Sequence, residues 1–300
     1  MKSRLVKIVS NELTWFFVPG SNQRNIDKVA TLEADAFIFD LEDAVAISEK
    51  QNARDKVIQA IARYQQKNIF LRVNSFDSPY FLEDVRQVVV QGVDGIVLPK
   101  AETPAQLQVL DKLLLEKEQE LNIPLGSIKI VALIESALGI HHAVELANFY
   151  RVTRLAFGAI DYTLDIGATL TEHGSELLFA KSQLVLASRV AKIEGPIDVV
   201  YVDIYNEEGL RKEVTFSKEL GFKGKLIVHP AQLKVVNEVY TPTDSEVEQA
   251  KKIIQAAAEA EEQGKGVVSV DGKMIDLPVI KKAEGVLALY NRLSVTTVEN

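Results

Sequence analysis

Charged side chains stand where short apolar runs end, and their types suit a divalent cation and an anionic substrate sharing one site. The run at 36–42 (AFIFDLE) ends in Asp40 and Glu42, with Asp43 next. The run at 68–74 (NIFLRVN) ends in Arg72 and Asn74, 95–100 (GIVLPK) in Lys100, 128–135 (IKIVALIE) in Glu135, and 153–161 (TRLAFGAID) in Gly158 and Asp161. Glu135 and Asp161 make the best metal pair: they lie 161 − 135 = 26 residues apart, one strand–helix–strand step, which puts them on adjacent strand ends. Two carboxylates, with water and substrate oxygens completing the shell, describe a magnesium site. Zinc is disfavoured, because there is no cysteine and the 4 histidines make no ligand motif; the adjacent His141 and His142 diverge on a helix. Arg72 interrupts an apolar strand, where an unpaired charge is costly. It is either a structural partner of Glu42 or Asp43, or a bidentate grip on a substrate carboxylate or a developing enolate. A carboxylate at a strand end can also be a helix cap, so the convergence of several ends carries the reading. His229, before Pro230, is either a general base or a hydrogen-bonded structural histidine. No P-loop, dinucleotide glycine fingerprint or nucleophile elbow is present.

Eight apolar runs must position these groups: 14–19, 36–42, 68–74, 95–100, 128–135, 153–161, 198–205 and 225–230. Each is apolar nearly throughout, as parallel strands buried on both faces are. Helical spacing separates them, as in Leu82, Val85, Val88, Val89, in Leu107, Leu110, Leu113, Leu114, and in Leu233, Val236, Val239, Tyr240. Strand and helix in alternation predict an α/β fold, a (β/α)₈ TIM barrel over residues 1–240, with the active site at the carboxyl ends of its strands. A doubly wound sheet is the alternative. Residues 241–300 read as a C-terminal helix-hairpin-helix extension. Its first helix starts near Asp244 and ends at Gly264 or Gly266, Asp271-Gly272 turns the hairpin, and the last helix begins at Pro278. So small a piece should pack on the barrel or on a neighbouring subunit.

The formal charge of −8 argues against nucleic acid or an acidic membrane as partner. Lys2, Arg4 and Lys7 precede no long apolar stretch, so no signal peptide is expected, and no run reaches a membrane span. A cytoplasmic protein is the expectation.

The motifs FVPG (17–20), FDLEDAV (39–45), RVN (72–74), VLPK (97–100), ALIESALGI (132–140), FGAIDY (157–162), GKLIVHPAQ (224–232) and DGKMIDLPVI (271–280) occur in this order. Together they resemble the citrate lyase β-chains and their relatives, the citrate lyase-like group of the HpcH/HpaI aldolase superfamily. The resemblance implies a magnesium-dependent carbon–carbon lyase. Its substrate would be a citryl thioester on coenzyme A or an acyl carrier protein, cleaved to oxaloacetate and an acetyl thioester. Alternatives are a stand-alone malyl-CoA or citramalyl-CoA lyase, and a non-catalytic assembly subunit. The resemblance makes Glu135 and Asp161 the magnesium ligands and Arg72 a substrate-binding and catalytic residue. Glu42 and Asp43 would lie beside the metal and hold its waters. Asp276 would transfer a proton in the active site of an adjacent subunit, and Arg24, helped by Lys100, would meet the carrier's phosphates. It further implies a homotrimer and citrate lyase α and γ subunits as partners. Ala159, where a small hydroxyl residue is commoner, and His229, where some relatives have Asn, leave the substrate open.

Overall fold

The computed structural model describes residues 12–262 and 268–296. Lys2, Arg4, Lys7, Gly264 and Gly266 lie outside them. Two compact units divide the chain, residues 1–236 and 237–300.

The first unit is built on a parallel sheet of β1 (Thr14–Pro19), β2 (Ala36–Asp40), β3 (Ile69–Arg72), β4 (Gly95–Leu98), β5 (Lys129–Ile134), β6 (Val152–Phe157) and β7 (Lys225–Ile227). Their order is β6-β5-β4-β3-β2-β1-β7. The helices between them are α1 (Gln23–Lys28), α2 (Lys50–Arg63), α3 (Phe81–Val88), α4 (Pro104–Glu120), α5 (Ala137–His141), α6 (Ala143–Asn148), α7 (Ala159–Asp165), α8 (Leu178–Ala191) and α9 (Glu207–Leu220), with α10 (Ala231–Tyr240) after β7. The sheet curls in the manner of a TIM barrel. One core cluster takes Trp15 from β1, Ala36 and Ile38 from β2, Phe70 from β3, Val97 from β4, Val131 and Leu133 from β5, Ala156 from β6 and Leu226 from β7. A flat sheet could not bring these together. Trp15 and Phe70 meet edge to face with ring centroids 4.7 Å apart, the arrangement aromatic quadrupoles prefer.

The seventh expected strand, 198–205, is corrected. Only Ile197 and Asp198 pair, Ile197 with Ala156 of β6 and Asp198 with Lys225 of β7. The backbone bonds are Phe157 N to Ile197 O, 3.0 Å, Ile197 N to Leu155 O, 2.8 Å, Asp198 N to Gly224 O, 2.8 Å, and Leu226 N to Asp198 O, 2.9 Å. Local β propensity is present, but β6 leaves the sheet at Gly158 and β7 stops at Ile227, so a longer ladder has no partners. A buried ionic node secures this short bridge: Asp198 accepts from Lys225 Nζ at 2.7 Å and Ser217 Oγ at 2.9 Å, and Lys181 Nζ lies 2.8 Å from it.

In the second unit are α11 (Asp244–Glu262), the antiparallel pair β8 (Val268–Val270) and β9 (Lys273–Ile275), and α12 (Leu277–Thr296). Asp271 and Gly272 turn the pair with φ of 51° and 76°, the left-handed values a two-residue hairpin turn needs. No helix among the described residues is long and apolar enough to cross a membrane.

Candidate active site

The site follows from strand periodicity. Side chains two apart share a face of a strand. One step beyond the inward core residues Trp15, Ile38, Phe70, Leu133, Ala156, Ile197 and Leu226 come Phe17, Asp40, Arg72, Glu135, Gly158, Val199 and Val228. All seven line a cavity of about 370 Å³ at the carboxyl ends of the strands. The site is therefore the polar top layer of the core. Asp161 joins this lining from outside the sheet. It lies in the first turn of α7 and not on a strand end, which corrects the expected run 153–161. Gly158, with φ −107° and ψ 85°, ends β6 and starts that helix.

Arg72 and Asp40 are directly opposite in the β2–β3 register. The guanidinium makes a two-pronged contact with Asp40, Nε to Oδ1 and Nη2 to Oδ2, both 2.7 Å. Nη1 donates to Asp43 at 3.1 Å and lies 3.3 Å from Glu42. The Phe17 ring lies 4.8 Å from the guanidinium. Burial works against this charge, but Asp40, then Glu42 and Asp43, hold its pKa above the ordinary arginine value. Arg72 is thus ion-paired with Asp43 and Glu42, and with Asp40 besides, and it faces the cavity.

Glu135 is buried and accepts the backbone N–H of Lys100 at 2.7 Å. Burial pushes its carboxyl up to about 7, with Asp161 adding to the rise and the Lys100 N–H opposing it. Burial likewise pushes Glu42 up to about 8, against the pull of Arg72. Several acids surround one cation, so the site carries an excess of buried carboxylate that a divalent cation would balance. Among the described residues no group of three or more His, Cys, Asp or Glu is placed to hold a metal. An ion on Glu135 and Asp161 would draw its other ligands from water and substrate.

Gly158 makes room for Glu135. A Cβ there would sit 2.5 Å from Glu135 Oε2 and 2.7 Å from its Cβ. Gly158→Ala is expected to displace Glu135 and the end of β5 that carries it, costing activity at least about tenfold together with a lower melting temperature. Wild-type kcat/KM in that variant would show that the carboxylate's position is not critical.

The remaining candidates separate. Lys100 is exposed at the end of β4, with φ 48°. Arg24 is exposed in α1, just after β1. His229 is absent from the cavity lining; its Nδ1 accepts from Ala231 N at 3.3 Å, a local turn contact. Asp276 belongs to the second unit, is exposed, and accepts from Val279 N at 3.2 Å as a cap of α12. Sequence reasoning missed the pairing of Asp40 with Arg72, although strand phase marks Asp40 as inward. It also missed Lys50, whose buried Nζ donates to Leu41 O, Glu42 O and Asn74 Oδ1 at 2.7, 2.8 and 2.7 Å and so ties down the loop bearing Glu42 and Asp43.

A curled parallel sheet with carboxylates and an arginine at its carboxyl ends has the layout of a TIM-barrel-type active site; residues 176–288 match the model of C–C bond lyases of the TIM-barrel fold. The chain belongs to the HpcH/HpaI aldolase/citrate lyase family, whose model matches residues 13–230. It is 42% identical over 274 residues to the citrate lyase subunit beta of Haemophilus influenzae, covering 90% of this chain and 94% of that one. It is 35% identical to a (3S)-malyl-CoA thioesterase of Cereibacter sphaeroides over 91% of this chain and 92% of that one. A crystal structure of CitE from Mycobacterium tuberculosis with magnesium, acetoacetate and coenzyme A superposes with a TM-score of 0.77 at 25% identity, covering 94% of this chain and 99% of that one. The chain is a carbon–carbon lyase of this family.

Proposed function

We propose that this protein is a magnesium-dependent lyase that cleaves a citryl thioester, on coenzyme A or an acyl carrier protein, to oxaloacetate and an acetyl thioester. The observation that carries this is the convergence of Glu135, Asp161 and Arg72 on one cavity. The magnesium of the Mycobacterium structure and the kinship with citrate lyase β subunits support it.

Glu135 and Asp161 would hold the ion. When bound, magnesium supplies a Lewis-acid charge that lowers the pKa of the substrate's β-hydroxyl and orients it. The hydroxyl's proton passes to solvent in the cavity, the oxygen's lone pair forms the ketone of oxaloacetate, and the Cα–Cβ bonding pair passes to the thioester as an enolate. Arg72 grips a substrate carboxylate and offsets developing negative charge. The apolar walls, Phe17, Leu133, Phe157, Val199 and Leu226, exclude water and strengthen those interactions. Asp276 of a neighbouring subunit then delivers a proton to Cα. Arg24 and Lys100, exposed beyond the carboxyl ends of β1 and β4, would meet the carrier's phosphates. Partner subunits of the citrate lyase α and γ type belong to the same reading.

A stand-alone malyl- or citramalyl-thioester lyase is the second reading. The malyl-CoA thioesterase relative favours it, as does a cavity lining with one cation, Arg72, since those acyl groups carry one carboxylate fewer. Comparing kcat/KM for citryl-, malyl- and citramalyl-CoA decides: citryl-CoA should be preferred and release oxaloacetate. A preference for malyl- or citramalyl-CoA overturns the leading proposal.

Arg72→Lys is expected to lose roughly a hundredfold in kcat/KM, because an ammonium cannot span Asp40 and a substrate carboxylate with one planar fork. Near-normal kinetics would remove Arg72 from the reaction.

Proton linkage gives a further expectation. Glu135 and Glu42 rise from 4.5 to about 7 and about 8 in the folded chain. Their contribution to stability is full below pH 4.5 and is lost as pH rises through 7 to 8. The metal-free protein should therefore melt lower above that window than below it. Magnesium should restore the loss and release protons on binding. Melting curves on both sides of the window, with and without magnesium, check this; no magnesium effect above it would count against the site.

A further inference from the structure

Arg72 is the one cation among the cavity-lining residues, and the protein's own acids occupy it. They do so in two ways. Asp40 is fixed: its side chain is 2% exposed. Its oxygens also accept the backbone N–H of Glu42 at 2.9 Å and of Ala44 at 3.1 Å, in addition to the two guanidinium bonds. Asp43 is loosely held: its side chain is 71% exposed, and its contact with Arg72 is a single bond of 3.1 Å from Nη1. Glu42 also faces Nη1 but is only 10% exposed and stands farther off, at 3.3 Å. Asp40, Asp43 and Arg72 all line the cavity that substrate must enter.

We propose that Asp43 stands in for the substrate's carboxylate: it holds Nη1 of Arg72 in the free enzyme and gives way when the acyl group's carboxylate arrives, while Asp40 stays and fixes the plane of the guanidinium. The exchange is physically easy in this direction. An ion pair exposed to water contributes little, whereas a carboxylate that enters the cavity shields the same N–H from solvent and strengthens its own contact. The free enzyme thus keeps Nη1 paired without a buried unpaired cation. Asp40 is a positioning residue in this scheme, because it acts through Arg72. The inference rests on the reading of Arg72 as the substrate's anchor, and it assigns Asp43 a role other than holding water on a metal.

Asp43→Asn tests it, since the variant keeps the size of the side chain and removes its charge. The measurements are KM for citryl-CoA, the Kd of (S)-malate as an unreactive carboxylate ligand in the presence of magnesium, and the magnesium dependence of activity. KM and Kd should both fall about two- to fivefold, the range of a lost exposed ion pair. An unchanged or raised Kd overturns the exchange. So does a fall in kcat with weakened magnesium dependence, which would put Asp43 in the metal's water shell. Asp40→Asn gives the contrasting result: a loss of at least about tenfold in kcat/KM, because a buried partner is removed. If that variant does not fold, the Asp43 result still stands alone. The two levels of failure separate. Normal kinetics in Arg72→Lys removes the anchor itself, while an impaired Arg72→Lys with no tightening in Asp43→Asn removes the exchange only.

Discussion

Glu135→Ala is expected to abolish turnover while the fold persists. The carboxylate tops the core layer and is not part of its apolar packing: it follows Leu133 by one inward step and faces the cavity. Its loss deletes one of the two acids that would hold magnesium, an ion whose charge stabilisation is worth several kcal/mol, so activity should fall on the order of a thousandfold. Stability should change little. A carboxyl whose pKa burial pushes up to about 7 is poorly solvated in its charged form, so removing it relieves a desolvation cost. The Lys100 N–H loses its acceptor at 2.7 Å, a loss of about 1–3 kcal/mol if water does not replace it. Glu135→Gln isolates that term, because the amide oxygen can still accept from Lys100. Measured together, kcat and the thermal midpoint of both variants distinguish a lost metal ligand from a weakened fold. Activity near wild type in Glu135→Ala, with chelator present, would remove both the ligand and the metal.

How much of this was legible from sequence depended on which physical quantity set each feature. Apolar runs are set by burial on both faces, so β1 appears with its expected bounds, 14–19, and the other strands of the sheet lie within their runs except β6, which starts one residue early, at Val152. Strand length is set by neighbours. For that reason 198–205 contributes only Asp198 to the sheet, beside Ile197 just before it, and Asp161 falls on a helix because the chain leaves β6 at Gly158.

Within the site, residue types announced the chemistry, but strand phase chose among them. Asp40, Glu42 and Asp43 look alike in FDLED. Asp40 is inward on β2 and opposite Arg72, Glu42 lies past the strand end, and Asp43 is exposed. The phase was readable from Ile38, because inward positions alternate. Lys50 was not readable, since it reaches back to the Leu41 and Glu42 carbonyls through a tertiary contact made only once α2 packs. The role of Asp276 was carried by family resemblance alone. Locally it is a sufficient cap for α12, and nothing in its neighbourhood in sequence distinguishes a cap from an acid–base group.

That double reading of Asp276 makes the subunit-mixing result informative. Asp276 follows β9 directly, four residues after the Asp271-Gly272 turn. An exposed acid at such a place can serve a second chain without disturbing its own core. The proposal is a homo-oligomer, a trimer by family resemblance, in which each metal site is completed by a neighbour's Asp276. Asp276→Ala loses the cap bond to Val279 N, about 1 kcal/mol of helix stability, so the variant should still fold while its turnover collapses. Glu135→Ala should be equally inactive through the other half of the site. Mixed by co-refolding, the two inactive chains should regain activity, because some interfaces then join an intact Glu135–Asp161 pair to an intact Asp276. A site built wholly within one chain would carry one lesion in every copy and stay inactive. Subunit exchange is verified separately with tagged chains, and Asp276→Asn, which keeps a cap acceptor without the acid, separates proton transfer from helix stability. Exchange without any recovery would refute the shared site.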